Sequence, residues 1–204
     1  MTVALPESLK EFTYYEECGT NYHERRDEVP HRLLPMYKKA LIKAADHIEH
    51  IATSFSPSSL FNSKARFEFP ALKTVAITSD ALLGAMDGLV DLPVLLNAAN
   101  AAKRMPNLEV FEIWCYKNRN VLQARVFTYQ RLWKYHSCIT WKENWEPSEI
   151  SGRLQEAWKQ VSNVENGTFE VKYEYLRLGG TLGEMHPHLL LGNRILHDIT
   201  WTQV

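Results

Sequence analysis

Cysteine is scarce. Cys18, Cys115 and Cys138 are an odd count at wide spacing, which excludes a disulfide framework and any zinc-ligand pattern and suits a reducing compartment. Long apolar runs are missing too: a stretch such as Leu189 to Leu191 falls far below the roughly 18 residues that cross a bilayer. The start of the chain has no basic region ahead of an apolar one, and Val3 to Leu5 is too short for a signal-peptide core, so secretion is not expected. Charge of one sign never accumulates. Formal net charge is -1 and no block of five or six like charges occurs, so a nucleic-acid footprint is absent. There is no G-x-S-x-G elbow, phosphate-binding Walker loop, H-E-x-x-H or dinucleotide fingerprint. Together these gaps predict one soluble intracellular domain over residues 1–204, cytoplasmic or nuclear. It is expected to have no membrane span, nucleic acid, cofactor or metal, and no assignable chemistry.

Aromatic residues are plentiful, at 11% with 6 Trp and 9 Tyr, within ordinary fractions of 45% hydrophobic and 23% charged residues. Three segments share the pattern L-x-x-φ-x-φ: Leu9 to Tyr14, Leu72 to Ile77 and Leu108 to Ile113. Pro6, Pro70 and Pro106 precede them, where a chain enters a strand. The leading leucines stand 63 and 36 residues apart, an irregular period that still fits stacked repeats. In a strand the residues at +3 and +5 turn to one face and those at +2 and +4 to the other. Stacked units would bury one apolar seam, with helices as crossovers between parallel strands.

Residues Leu34, Tyr37, Leu41, Ala44, Ile48, Ile51 and Phe55 recur at three and four, which predicts a helix. A second helix is expected with Asp91 as N-cap, Pro93 in its first turn and an Ala-rich face through Leu95, Ala98, Ala99 and Ala102, stopping before Pro106. Beyond Trp114 the repeat lapses. Ala124 to Tyr129 and Cys138 to Trp141 predict a hairpin. Ile150, Leu154, Ala157, Trp158 and Val161 mark a third helix ending near Asn163, and Phe169 to Leu176 a half-exposed strand. Asn166-Gly167 reads as a turn, and Ile195 to Val204 as a docking final strand. The expected fold class is α/β: a leucine-rich-repeat-like curved sheet of mainly parallel strands with helices on one side and an added antiparallel hairpin.

Several ordered segments carry a family likeness: LKEFTYYE from Leu9, IATSF from Ile51, FPALKTVAITS from Phe69, AAKRMPNLEVFEIW from Ala101, TWKENWE from Thr140, AWKQV from Ala157 and HDITWTQV from His197. In them the chain resembles a fungal family of F-box proteins whose C-terminal half is a domain of unknown function with degenerate leucine-rich repeats. The resemblance implies a partner-binding role and supplies no catalytic residues. Because the chain opens directly at a repeat strand, with nothing ahead of it to form F-box helices, recruitment to a ubiquitin ligase is not expected.

Aligning the repeats puts Glu11, Thr13 and Tyr15 with Thr74, Ala76 and Thr78 and with Val110, Glu112 and Trp114, on the sheet face opposite the helices. That is where repeat proteins bind partners, so Glu11, Thr13, Tyr15, Thr74, Thr78, Glu112 and Trp114 form the candidate binding surface. The expected function is a non-catalytic, adaptor-like protein-interaction domain, with an exposed sheet edge as a homodimerisation surface. The rival is a small enzyme or ligand-binding protein of fungal specialised metabolism, in which an aromatic-lined pocket takes a small molecule and His or Glu groups move protons. Trp133, Trp141, Trp145, Trp158, Trp201, Tyr14, Tyr116, Tyr129 and Tyr135 would be anchors or walls, core packing being the plainer role for most. His186, His188 and His197 form the densest histidine cluster, better read as surface or structural than as ligands. His47 and His50 are expected on the solvated face of the first helix, and His23 to Glu28 in a solvated mixed-charge loop. Gly179, Gly180 and Gly183 read as a mobile loop.

Overall fold

The computed structural model describes residues 8–14, 41–54, 68–84, 88–118, 122–133, 135–145, 148–162, 167–179 and 182–192. The fold is mixed α/β. Its main sheet contains β1 (Glu11–Tyr14), β2 (His50–Ser54), β3 (Thr74–Thr78), β5 (Val110–Asn118), β6 (Leu122–Trp133), β7 (His136–Glu143) and β9 (Thr168–Tyr175), in the spatial order β1-β2-β3-β5-β6-β7-β9. Strands β1, β2, β3 and β5 run parallel, β5-β6-β7 form an antiparallel meander, and β9 returns parallel to β7. A second, two-stranded parallel sheet joins β4 (Leu89–Val90) to β8 (Glu149–Ile150). Gly88, at a left-handed φ of 75°, opens β4, and its carbonyl accepts the Glu149 N–H at 2.7 Å.

The repeat pattern holds, and Leu9, Leu72 and Leu108 open three parallel strands of one sheet. Phe12, Ile51, Val75 and Phe111 lie in register across it. Leu72 and Leu108 are fully buried, and Leu9 packs against the same core. One unit is missing from the sequence reading, because β2 stands between β1 and β3. Ile48, fully buried, takes the place of the leading leucine, with Ile51 and Thr53 at +3 and +5, and the 63-residue interval divides into 39 and 24. A backbone motif marks each junction. The carbonyls of Lys10, Glu49 and Lys73 each accept two consecutive N–H groups from the next unit: Glu49 and His50, Lys73 and Thr74, Glu109 and Val110.

The predicted helix through Ile51 and Phe55 is therefore corrected. Residues 41–43 are helical, 44–47 turn, and His50–Ser54 is a strand; positions 34–40 and Phe55 lie outside the described residues. Spacing at three and four suits one helix face, but a central strand gains ladder hydrogen bonds on both sides, here from β1 and β3, and that tertiary gain overrides local period.

Two crossovers cover one face of the sheet. From β3 the chain passes through a 3-10 turn (Asp80–Gly84), β4 and helix α1 (Pro93–Ala102) into β5. From β7 it passes through β8 and helix α2 (Gly152–Lys159) into β9. The predicted α1 is borne out apart from its cap: Leu92 occupies the N-cap, while Asp91 accepts the Ser151 hydroxyl at 3.0 Å and lies 3.9 Å from Arg153. Ile150, expected in the third helix, belongs to β8, and Ser151 caps α2 by accepting the Leu154 N–H at 3.2 Å. The expected hairpin is β6–β7, longer than predicted at both strands. Trp158 of α2 is fully buried among Phe111, Tyr129 and Phe127, with ring centroids at 5.2, 5.2 and 5.0 Å. The last ten residues, expected to dock as a strand, fall outside the described residues.

Candidate interaction surface

The opposite face of the sheet carries Glu11, Thr13, His50, Ala52, Thr74, Ala76, Thr78, Glu112 and Trp114 by strand alternation. It is not an open surface at its centre. After β9 the chain turns back through Leu176 and a 3-10 segment (Leu182–His188) to Leu189 and Leu191. These residues pack with Met185 against Ala52, Ala76, Trp114, Ala124 and Val126.

The binding-surface prediction is corrected accordingly. Glu112 and Trp114 are 0% and 4% exposed, and Thr74 and Thr78 are 7% exposed each, so none of the four offers a surface. Glu11 and Thr13 on β1 are exposed. Tyr15 lies outside the described residues. The alternation argument assigned the right face; what packs on its centre arrives from Leu176 to Leu191, far along the chain from all these strands.

Glu112 shows how the cover is held. One carboxylate oxygen accepts the Leu190 N–H at 2.7 Å and the other accepts the Leu191 N–H at 3.0 Å. Burial pushes its carboxyl up from the ordinary value, and the two backbone N–H groups and the Lys142 charge pull the other way. An acidic side chain on a central strand thus seats two consecutive peptide groups, while Leu189 and Leu191 fill an apolar seat beside Trp114.

At the entry of the parallel strands the residue after each leading position alternates in sign: Lys10, Glu49, Lys73, Glu109. Lys10 Nζ lies 3.0 Å and Lys73 Nζ 2.6 Å from the two Glu49 oxygens. Hydrogen bonds from Lys73 and then Lys10 hold the Glu49 carboxyl down at about 2. Two like charges would repel at this spacing, so the alternation fixes neighbour order as well as adding attraction.

At the far end, Glu143 is 2% exposed. One of its oxygens accepts the Ser148 N–H, and the other lies 3.4 Å from Arg125 Nε. Arg125 also donates to the Leu82 carbonyl at 2.9 Å. This pair ties the 3-10 turn after β3 to β6, β7 and the approach to β8. The neighbouring Cys115 thiol is pushed up to about 12 by burial, which leaves it protonated and unsuited to nucleophilic work.

The remaining candidates separate. His50 is in β2 and shares a 2.8 Å hydrogen bond with Thr74 Oγ1, so it does not line a helix with His47. His188 ends a 3-10 segment, while the His186 side chain and all of His197 lie outside the described residues. Among the described residues no three His, Cys, Asp or Glu side chains gather to hold a metal ion. The loop from His23 to Glu28 lies outside the described residues, as do Gly180 and Trp201. Trp141 and Tyr129 are buried with Trp158, whereas Trp133, Tyr135 and Trp145 are exposed. A shallow cleft at the β6–β7 turn is lined by Arg131, Trp133, Tyr135, His136, Ser137, Ser162, Gly167 and Thr168. Sequence reasoning passed over the β9 edge, where Tyr173 and Tyr175 are exposed; their period-2 alternation was visible, but not that the strand would be outermost.

These features define a mixed α/β protein whose main sheet has seven strands among the described residues, with helices on one face and its own chain crossing the other. No helix among the described residues is long and apolar enough to cross a membrane. The chain belongs to a family of unknown function, DUF6546, whose model matches residues 4–197. No curated protein and no solved structure matches it.

Proposed function

We propose that the chain is a non-catalytic, adaptor-like interaction domain, built on leucine-rich-repeat-like units, which binds a protein partner inside the cell through the part of the sheet face exposed at β1. The observation that supports this reading is the unequal treatment of the two faces. One is sealed by α1 and α2. The other seats a polypeptide segment through Glu112 and still exposes Glu11 and Thr13 at β1. A sheet face with a polar anchor and apolar seats is suited to hold peptide. The resemblance to the partner-binding half of fungal F-box proteins points the same way. A photo-crosslinking residue placed at Thr13 is expected to trap a defined protein partner, and Glu11→Arg to abolish the product. Crosslinks that are absent, or that persist unchanged in Glu11→Arg, sink this assignment.

The second reading, a small enzyme or ligand-binding protein, draws its support from the cleft beside Trp133 and His136, whose rings stand 6.2 Å apart. It requires a saturable tryptophan-fluorescence quench by a small molecule from a metabolite panel, with the quench lost in Trp133→Phe.

A further inference from the structure

Strand β9 ends the sheet, and among the described residues no strand lies on its outer side. It pairs with β7 over eight consecutive residues, His136↔Thr168 to Glu143↔Tyr175, without a register shift. The sequence TFEVKYEY contains no Pro or Gly and is rich in strand-favouring residues. Long, regular edge strands of this kind are templates for a further strand unless something blunts them.

Which backbone groups are free follows from two bonds. Thr168 N–H donates to the Tyr135 carbonyl at 2.8 Å, and Leu176 N–H to the Glu143 carbonyl at 2.9 Å. In a parallel ladder alternate residues bond to one neighbour, so even positions from 168 to 176 turn toward β7. Phe169, Val171, Tyr173 and Tyr175 therefore aim their N–H and C=O groups outward. Their side chains share the helix-covered face, where Tyr173 and Tyr175 are 43% and 63% exposed. Glu170, Lys172 and Glu174 share the other face.

We propose that this edge pairs antiparallel with β9 of a second copy of the chain. Among the central two-fold antiparallel registers, those with the axis beside Val171 or beside Tyr173 avoid like-charge oppositions. The first sets Glu170 opposite the second copy's Lys172, twice by symmetry, and Phe169 opposite the second copy's Tyr173. The second sets Lys172 opposite the second copy's Glu174, again twice, and Val171 opposite the second copy's Tyr175. An axis beside Lys172 would leave the ladder intact, with Lys172 in a non-hydrogen-bonded pair, but it would oppose lysine to lysine and Glu170 to Glu174. Charge thus rejects that register, and the isologous contact closes at two copies.

The experiment is sedimentation equilibrium over a concentration series, with circular dichroism to verify folding. The wild-type chain is expected to dimerise, less tightly as salt rises. Lys172→Glu is expected to weaken the dimer by about tenfold or more, since two attractive cross-strand pairs become repulsive. Glu170→Lys with Glu174→Lys should weaken it comparably, and mixing the two variants should restore association as a heterodimer. Val171→Pro removes an outward donor without touching the β7 ladder, so it should remain folded and monomeric. A wild-type monomer at the highest attainable concentration overturns the proposal, as do a Lys172→Glu dimer of undiminished affinity and mixed variants that stay apart. The proposal is independent of the partner reading above: losing the Thr13 crosslink would leave the dimer unaffected, and the reverse also holds.

Discussion

A carboxylate on a central strand must either find partners or lose its charge, and Glu112 does part of both. Its two oxygens take two consecutive backbone N–H groups of the C-terminal segment, and burial raises its carboxyl above the ordinary value of 4.5. A raised acid contributes stability that is complete below about 4.5 and disappears as pH rises through the folded value. The melting-temperature advantage of wild type over Glu112→Gln is therefore expected to shrink as pH rises from roughly 4 toward neutrality, because the amide does not titrate. A constant gap across that range would remove the linkage. Glu112→Ala leaves two N–H groups without acceptors, at a cost of about 1–3 kcal/mol, and hydrogen exchange at Leu190 and Leu191 should accelerate. Trp158 acts through volume instead. Trp158→Ala is expected to cost about 3–5 kcal/mol in urea unfolding, and Trp158→Phe much less, since the ring contacts to Phe111, Phe127 and Tyr129 are partly kept.

Among the elements, the parallel strands β1, β2 and β3 are joined by more than their ladders. Lys10, Glu49 and Lys73 form an alternating rung at their entries, with the Glu49 carboxyl at about 2. This is a depressed acid, so its contribution is present above about 4.5 and is lost as pH falls through about 2. Glu49→Gln should therefore flatten that part of the acid unfolding profile, and added salt should reduce the difference, because the groups are near solvent. A steep, unchanged acid limb in the variant would show that the rung does not contribute to it.

Across the whole molecule, the Arg125–Glu143 pair links the two crossovers that build the helix-covered face. Arg125→Met leaves Glu143 buried without its cation and is expected to cost about 3–5 kcal/mol of stability. Arg125→Met with Glu143→Met should recover much of that loss, since the pair's desolvation cost disappears with both charges. Equal destabilisation by the single and double variants, measured by thermal unfolding, would count against a buried pair.

Much of this fold was written in local pattern. Leu9, Leu72 and Leu108 announced parallel strands, Pro93 and the alanines announced α1, and the β-rich runs Ala124 to Tyr129 and Cys138 to Trp141 announced a hairpin, because such features depend on residues a few positions apart. Strand β2 escaped, since Ile48, Ile51 and Phe55 also satisfy a helical period and Thr53 replaces the second apolar residue of the repeat. Only the flanking β1 and β3, which offer its backbone a ladder on both sides, decide between the two. The same division applies to the surface. Alternation along a strand places Glu112 and Trp114 on the face away from the helices, but whether that face meets water depends on residues 176–192 folding back across it. The sequence alone therefore determined which side chains share a face, through a period of two; tertiary structure decided which of them are exposed, because coverage comes from chain remote in sequence.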